Sequence, residues 1–269
     1  MPASRRLLAP TPRVQQRASF DIELADGRSV PVLCVHDARS RRVKLSVDER
    51  GARLSLPLRA SVATGERFVR EHRDWLAQQI DRHALDAVPG LVRGTTATLP
   101  LRGGHCALEW REGRFTRLQM EPDAAAQTGG DPPRAEFTTT ARAGDAALRR
   151  ALREFYEAQA RSDAGRWLPR HAHGLPRPLR RVVFKVMSSQ WGSLAPDGTM
   201  RLDLSLVLAR PRAFEYVLVH ELCHLARADH SPAFWAEVES RFPDWRVERD
   251  YFRAEGRRLK ATLRGLLGG

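Results

Sequence analysis

The sequence predicts an α+β fold, with an antiparallel β-rich part first and a helical part carrying a small sheet after it. Three observations predict it. Between residues 18 and 120, short apolar or alternating runs are separated by turn signals such as Asp26-Gly27 and Asp48-Glu-Arg-Gly51. From residue 136 to 269, apolar positions recur at helical spacing over long stretches. Between the two parts, residues 121–135 are rich in Ala, Gly, Pro and Asp without periodicity, and read as a loop or linker.

Taken in order, residues 1–17 read as a flexible basic arm. Phe20 to Leu24 and Val30 to Val35 flank Asp26-Gly27 as a hairpin, and Val43 to Val47 with Ala52 to Leu56 complete a compact antiparallel module. Ser61 can cap one helix over about 62–83, with Phe68, Val69, Trp75, Leu76 and Ile80 on its packing side. Strand-like pieces follow at Leu91 to Leu101, Ala107 to Trp110 and Thr116 to Met120. No sequence segment repeats. Beyond the linker, a long helix is expected from Thr140 to Leu168, stopped by Pro169, with Leu148, Leu152, Phe155, Tyr156 and Trp167 facing inward. Arg181 to Met187 and Met200 to Leu206 read as strands around a turn at Pro196-Asp-Gly198. The last elements are a helix from Pro232 to Arg241 and, after a break at Pro243, a basic helix from Asp244 to Leu263.

Between those strands and the last helices lies Tyr216-Val-Leu-Val-His220-Glu221-Leu-Cys-His224, followed by His230. On a helix, positions i and i+4 share a face, so His220 and His224 project together and suit two corners of a tetrahedral zinc site. Glu221 lies about 100° round the helix, too far to be a third ligand alongside them but placed to touch a water as a general base. Phe214, Leu218, Leu222 and Leu225 form an apolar stripe on the opposite arc. Ala213, Tyr216 and Arg227 share the histidine side. Pro211 suits the first helical turn, and Ser231-Pro232 starts the next helix. The chain therefore turns where His230 can swing back as a third ligand.

Composition narrows the setting. The chain has 269 residues, 42% of them hydrophobic, and no apolar run of membrane-spanning length. The N-terminus lacks the apolar core of a secretory signal, so a cytoplasmic location is expected. Cys34, Cys106 and Cys223 are scattered and odd in number, unlike a disulfide framework. Cys223 points about 60° away from His220 and reads as a buried small hydrophobe. The net charge of +13 raises nucleotide or nucleic-acid binding as a second reading. Yet the arginines are spread along the chain among interleaved acids, and only Lys44, Lys185 and Lys260 are lysines.

Ser189-Gln-Trp-Gly-Ser193, Met200-Arg-Leu-Asp203, the segment HELCHLARADHSPAFW and Pro243-Asp-Trp245 together resemble the YgjP-like metallopeptidase family. That family is a branch of the zincins, distantly related to SprT-like and WLM proteases. The resemblance covers most of the chain, including the Arg-rich early strands and Asp74-Trp75-Leu76. It implies a zincin-like catalytic part over 136–269, with His220, His224 and His230 as zinc ligands and Glu221 as the catalytic base. The family usually has Arg-Trp-Gly-Ser-Cys where this chain has Gln190 and Leu194 at the ends, and commonly Asn where Asp203 stands. These differences fall on positions expected to line or brace the cleft. Arg227 stands where metzincins place a glycine.

The expectation is thus a zinc-dependent metallopeptidase acting on peptide or protein substrates. Gln190, Trp191, Ser193, Asp203 and Tyr216 are candidate cleft residues, and Gln190, Trp191 or Tyr216 could steady an oxyanion. Asp203 or Asp229 could orient a ligand imidazole. Two alternatives keep the same residues. Some relatives are described as UTP pyrophosphatases, although phosphate chemistry more often recruits oxygen-ligated magnesium. The other is a DNA-associated SprT-like protease or a basic nucleic-acid-binding module with a structural metal. A structural zinc site usually closes with four protein ligands, and here the fourth is missing.

Overall fold

The computed structural model describes residues 17–38, 40–48, 51–85, 90–121 and 132–268. All but the last residue of the expected basic arm therefore lies outside the described residues, as does most of the expected linker. Contacts divide the chain into residues 1–86 and 87–269. The boundary expected within 121–135 falls inside the second of these units.

In the first unit, β1 (Arg17–Glu23) and β2 (Ser29–His36) pair across the Asp26-Gly27 turn, and β3 (Lys44–Asp48) pairs with β4 (Gly51–Leu56). Both pairs are antiparallel, but β2 and β4 run parallel, in the order β1-β2-β4-β3. The module expected to be antiparallel throughout is therefore mixed. The reason is that β3 folds back on the outer edge, which leaves β4 to return alongside β2 in the same direction. Val32, Cys34, Ala52, Leu54 and Leu56 form one buried face against Val69 and Leu76. The helix expected over 62–83 is two: α1 (Val62–Glu71), capped by the Ser61 hydroxyl, and α2 (Arg73–Leu85). His72 breaks them with φ −110°, its amide shared between the Phe68 and Val69 carbonyls. The break turns Trp75 outward, where it is 39% exposed rather than packed.

The second unit begins with β5 (Thr98–Leu101), β6 (Gly104–Glu112), β7 (Arg117–Met120) and β8 (Arg134–Thr139). Their order is β5-β6-β8-β7, again antiparallel, parallel, antiparallel. The topology of the first sheet thus recurs without any sequence repeat. Arg102 and Gly103 turn β5 into β6 with φ of 51° and 79°, the left-handed pair that a two-residue hairpin demands. The Arg102 guanidinium is held by the buried Asp163 carboxylate at 2.9 Å. Ala135 and Phe137 turn their side chains inward toward α3 (Asp145–His171), whose Leu148, Leu152, Phe155 and Tyr156 are buried. That helix runs two residues past Pro169, which falls in its last turn and forfeits the one bond to Gly165, and the Ala172 amide closes the end on the Leu168 carbonyl.

A three-stranded sheet follows in the order β10-β11-β9, built from β9 (Arg181–Lys185), β10 (Gly192–Leu194) and β11 (Thr199–Asp203). The strand expected to run to Leu206 ends at Asp203, whose carboxylate accepts the Ser205 amide and caps a 3-10 turn, Leu204–Leu208. The remaining helices are α4 (Pro211–Cys223), α5 (Pro232–Arg241) and α6 (Trp245–Leu267). α4 packs on α3, α5 and α6 and lies against β10 and β11. Among the described residues no helix is long and apolar enough to cross a membrane.

Candidate active site

The apolar back of α4 decides which way its histidines face. Phe214, Leu218, Leu222 and Leu225 are buried, and Phe214 meets Trp167 edge to face at 5.1 Å. Burying that stripe leaves His220 on the opposite side. His224 is the residue that ends the helix, still in α conformation (φ −66°, ψ −13°), so its imidazole keeps the i+4 direction. The chain then turns through Asp229, whose carboxylate accepts the Ser231 amide at 3.2 Å as α5 begins. That turn returns His230 to the helix. The ring centres of His220, His224 and His230 lie 5.1, 5.1 and 4.8 Å apart.

One nitrogen from each ring lies within 4.8 Å of the others. The Nε2 atoms of His220 and His230 are 3.1 Å apart, near the ~3.3 Å spacing of two nitrogens on a tetrahedral zinc with bonds of about 2.0–2.1 Å. The Nδ1 of His224 meets the Arg227 carbonyl at 3.0 Å, so it carries the proton and leaves Nε2 a free lone pair. The buried Nδ1 of His220 has no hydrogen-bond partner. Burial, followed by the two neighbouring histidines, lowers the His220 imidazole to about 3, which keeps it neutral and able to ligate. This donor set fits a divalent ion.

Two residues of α5 hold the rings in place. Phe234 is fully buried with its centroid 4.9, 4.5 and 4.8 Å from those of His220, His224 and His230, and Trp235 lies 5.7 and 5.9 Å from His220 and His230. Trp235 in turn stacks on Trp245 at 4.3 Å. Nothing in the spacing of these aromatics reveals that all three imidazoles pack around one phenyl ring.

Glu221 is 5% exposed and faces β10. A Cβ on Gly192 would lie 2.6 Å from its Oε1, so the absence of a side chain there makes room for the carboxyl. Burial pushes this carboxyl up to about 8. A cation at the histidines would draw it back toward the ionised form. Two cavities, about 370 and 450 Å³, meet at Gln190, Gly192, His220 and Glu221. Trp191 and Tyr216 line the first, and Ser193 lines the second.

Asp203 does not line either cavity. It is 1% exposed, accepts the Met187 amide at 2.6 Å and pairs with Lys260 at 3.2 Å. Lys260 also donates to the carbonyls of Met187 and Gln190 and lies 4.4 Å from the Trp191 ring centre. Together they brace the segment that forms the cleft wall, a role with no signal in the sequence because Lys260 lies 57 positions further on, in α6. Asp203 and Asp229 accept hydrogen bonds from backbone amides rather than from the three imidazoles, and the Arg227 carbonyl meets the His224 ring instead. The Arg227 side chain does not line the cavities, and Cys223 is a buried thiol.

The YgjP-like metallopeptidase domain matches residues 41–255. The chain belongs to the YgjP-like family. Membership makes it a metal-dependent hydrolase. Among solved structures, the metallopeptidase zymogen abylysin of Pyrococcus abyssi is 25% identical over 36% of this chain and 93% of its own, with a TM-score of 0.31. No curated protein matches the chain.

Proposed function

We propose that this YgjP-like protein is a zinc-dependent peptidase whose ion is held by His220, His224 and His230 and whose general base is Glu221. The observation that carries the reading is the convergence of three imidazole nitrogens beside a buried carboxyl in an open cleft. When bound, the ion would supply a Lewis acid and lower the pKa of a water. Glu221 would take the proton from that water onto a carboxylate oxygen and return it to the departing amine nitrogen. Gln190, the one residue outside α4 with a side-chain donor that lines both cavities, is the candidate to meet the developing oxyanion. Burial pushes the Tyr216 phenol up to about 12, so its hydroxyl stays protonated and able to donate. Because β10 is an edge strand on the cleft wall, an extended peptide backbone could pair beside it, which favours a peptide substrate.

Metal content measured by mass spectrometry on protein purified without added metal tests the reading. Near-stoichiometric zinc is expected in wild type and in Glu221→Gln, with loss in His224→Ala. Peptide cleavage should fall about 10²–10⁴-fold in Glu221→Gln. Wild type that neither carries nor takes up zinc would end the reading. Cleavage of nucleoside triphosphates but not peptides would transfer the site to phosphate chemistry.

A further inference from the structure

The first cavity is lined by more than the candidate active-site residues. Beside His220 and Glu221 of α4 it takes Trp191, Tyr216, Val217 and Phe252, and Arg249 and Arg253 of α6. The arginines of this part of α6 are otherwise occupied: Arg246 pairs with Glu239, Arg253 with Asp250 and Arg258 with Glu255, each within 2.7 Å. Arg249 is different. It lies 4.7 Å from the Trp245 ring centre, its Nε is buried without a hydrogen-bond partner, and no carboxylate pairs with it among the described residues. Glu248 beside it is spent on Arg210 at 2.9 Å. A half-buried guanidinium left unpaired is unfavourable, and its planar fork matches a carboxylate in two parallel hydrogen bonds.

We infer that this cavity is a specificity subsite in which Arg249 receives a carboxylate of the peptide substrate. The inference rests on the peptidase reading and deepens it. Aromatic and aliphatic lining residues accept the apolar stem of the bound residue, and the guanidinium selects for an anionic group. The volume of about 370 Å³ is at the small end of ligand pockets (~300–1,000 Å³) and suits a residue or two. A carboxylate can come from an acidic side chain or from the free C-terminus of the peptide, and the same chemistry serves both.

The test is a binding measurement, so that it does not depend on turnover. Zinc-loaded Glu221→Gln protein is titrated with one neutral, C-terminally amidated peptide. The titration is repeated with glutamate replacing glutamine at each position in turn, and with the neutral peptide bearing a free C-terminus. One carboxylate is expected to tighten binding by about tenfold or more, the gain typical of a hydrogen bond to a charged group. Adding Arg249→Met, which keeps an apolar stem against Trp245, should bring the ratio of acidic to neutral binding near one, and Arg249→Lys should restore part of it. Which peptide shows the gain identifies the source of the carboxylate. No gain from either carboxylate, a gain that survives Arg249→Met, or a larger Arg249-dependent gain for a nucleoside triphosphate would overturn the inference. Cleavage of the same peptides by wild type is read separately: failure there strikes the peptidase reading, whereas failure of the binding ratio strikes only the role of Arg249.

Discussion

The two four-stranded sheets share one strand order and one sequence of antiparallel, parallel and antiparallel pairs, yet among the described residues the candidate active site belongs to the unit of the second. In the first unit, β4 presents Ala52, Leu54 and Leu56 to the short helices α1 and α2, and the core ends there. In the second, the matching strand β8 presents Ala135 and Phe137 to a helix of 27 residues. That length gives α3 a further face. Beyond its sheet-facing residues, Trp167 meets Phe214 of α4, and His171 hydrogen-bonds Glu215 at 2.8 Å. Among the described residues, the one group of three metal-capable side chains lies on α4 and the turn after it. The same topology can thus close on itself or serve as a platform, and the difference is a helix long enough to be shared between a sheet and a site.

The largest effects should separate the two cores. Phe137, fully buried and stacked on Trp110 at 4.5 Å, belongs to the cluster that also contains the back of α4. Phe137→Ala should cost about 3–5 kcal/mol and lower zinc content together with the melting temperature. Leu54→Ala should cost about 2–5 kcal/mol but confine its damage to the first unit. Urea melts followed by zinc release and by protease sensitivity of residues 17–85 distinguish them. Zinc release by Leu54→Ala at the same urea concentration as by Phe137→Ala would dissolve the distinction.

Each unit also has a glycine that makes room for one side chain, and the two differ in what they make room for. A Cβ at Gly65 would meet Leu54 Cδ2 at 2.5 Å, whereas at Gly192 it would meet the Glu221 carboxyl at 2.6 Å. Gly65→Ala should therefore cost about 1–3 kcal/mol of stability through overpacking and leave catalysis alone. Gly192→Ala should retain zinc while kcat/KM falls about 10²-fold, the effect of displacing a catalytic group by roughly 1 Å. A Gly192→Ala variant with unaltered kcat/KM would mean that Glu221 is not held by this contact.

The parts legible in the sequence were those carried by local periodicity. The apolar stripe of α4, the HExxH spacing and the Pro-started helix α5 rest on neighbours within a few positions, and the histidine cluster follows from them. β8 was missed because it is short and adjoins a segment of Pro, Gly and Ala. The parallel pairings were missed because a strand does not record which earlier strand it will return beside. Asp203 is expected to line or brace the cleft because it stands where the family commonly has Asn, and that expectation names no partner for it. Its partners, the Met187 amide and Lys260, are set by tertiary packing. Arg249 was just one arginine among many until its neighbours proved to be paired.

The smallest effect concerns two Asp-Gly turns, one in each unit. Hydrogen bonds from the Arg28 side chain and then its amide hold the Asp26 carboxyl below the usual carboxylate range. The Thr199 amide and hydroxyl, with Arg180, do the same for Asp197 between β10 and β11. A carboxyl depressed in the folded state adds stability above its unfolded pKa and loses it as the pH falls through the folded value. Both turns should therefore loosen on acidification, seen as smaller amide protection factors at Arg28 and at Thr199 once the intrinsic pH dependence of exchange is divided out, and an Asn at either position should remove that pH dependence locally. Both groups are exposed and screened by solvent, so global stability should hardly change. The contrast lies in what each turn supports. β10 carries Gly192 and hence the wall against Glu221, so Asp197→Asn should lower kcat/KM at neutral pH by less than about twofold, within the range of surface substitutions. Asp26→Asn supports only its own hairpin and should leave kcat/KM unchanged; equal losses from both would show that the two sheets are not as separate as their cores.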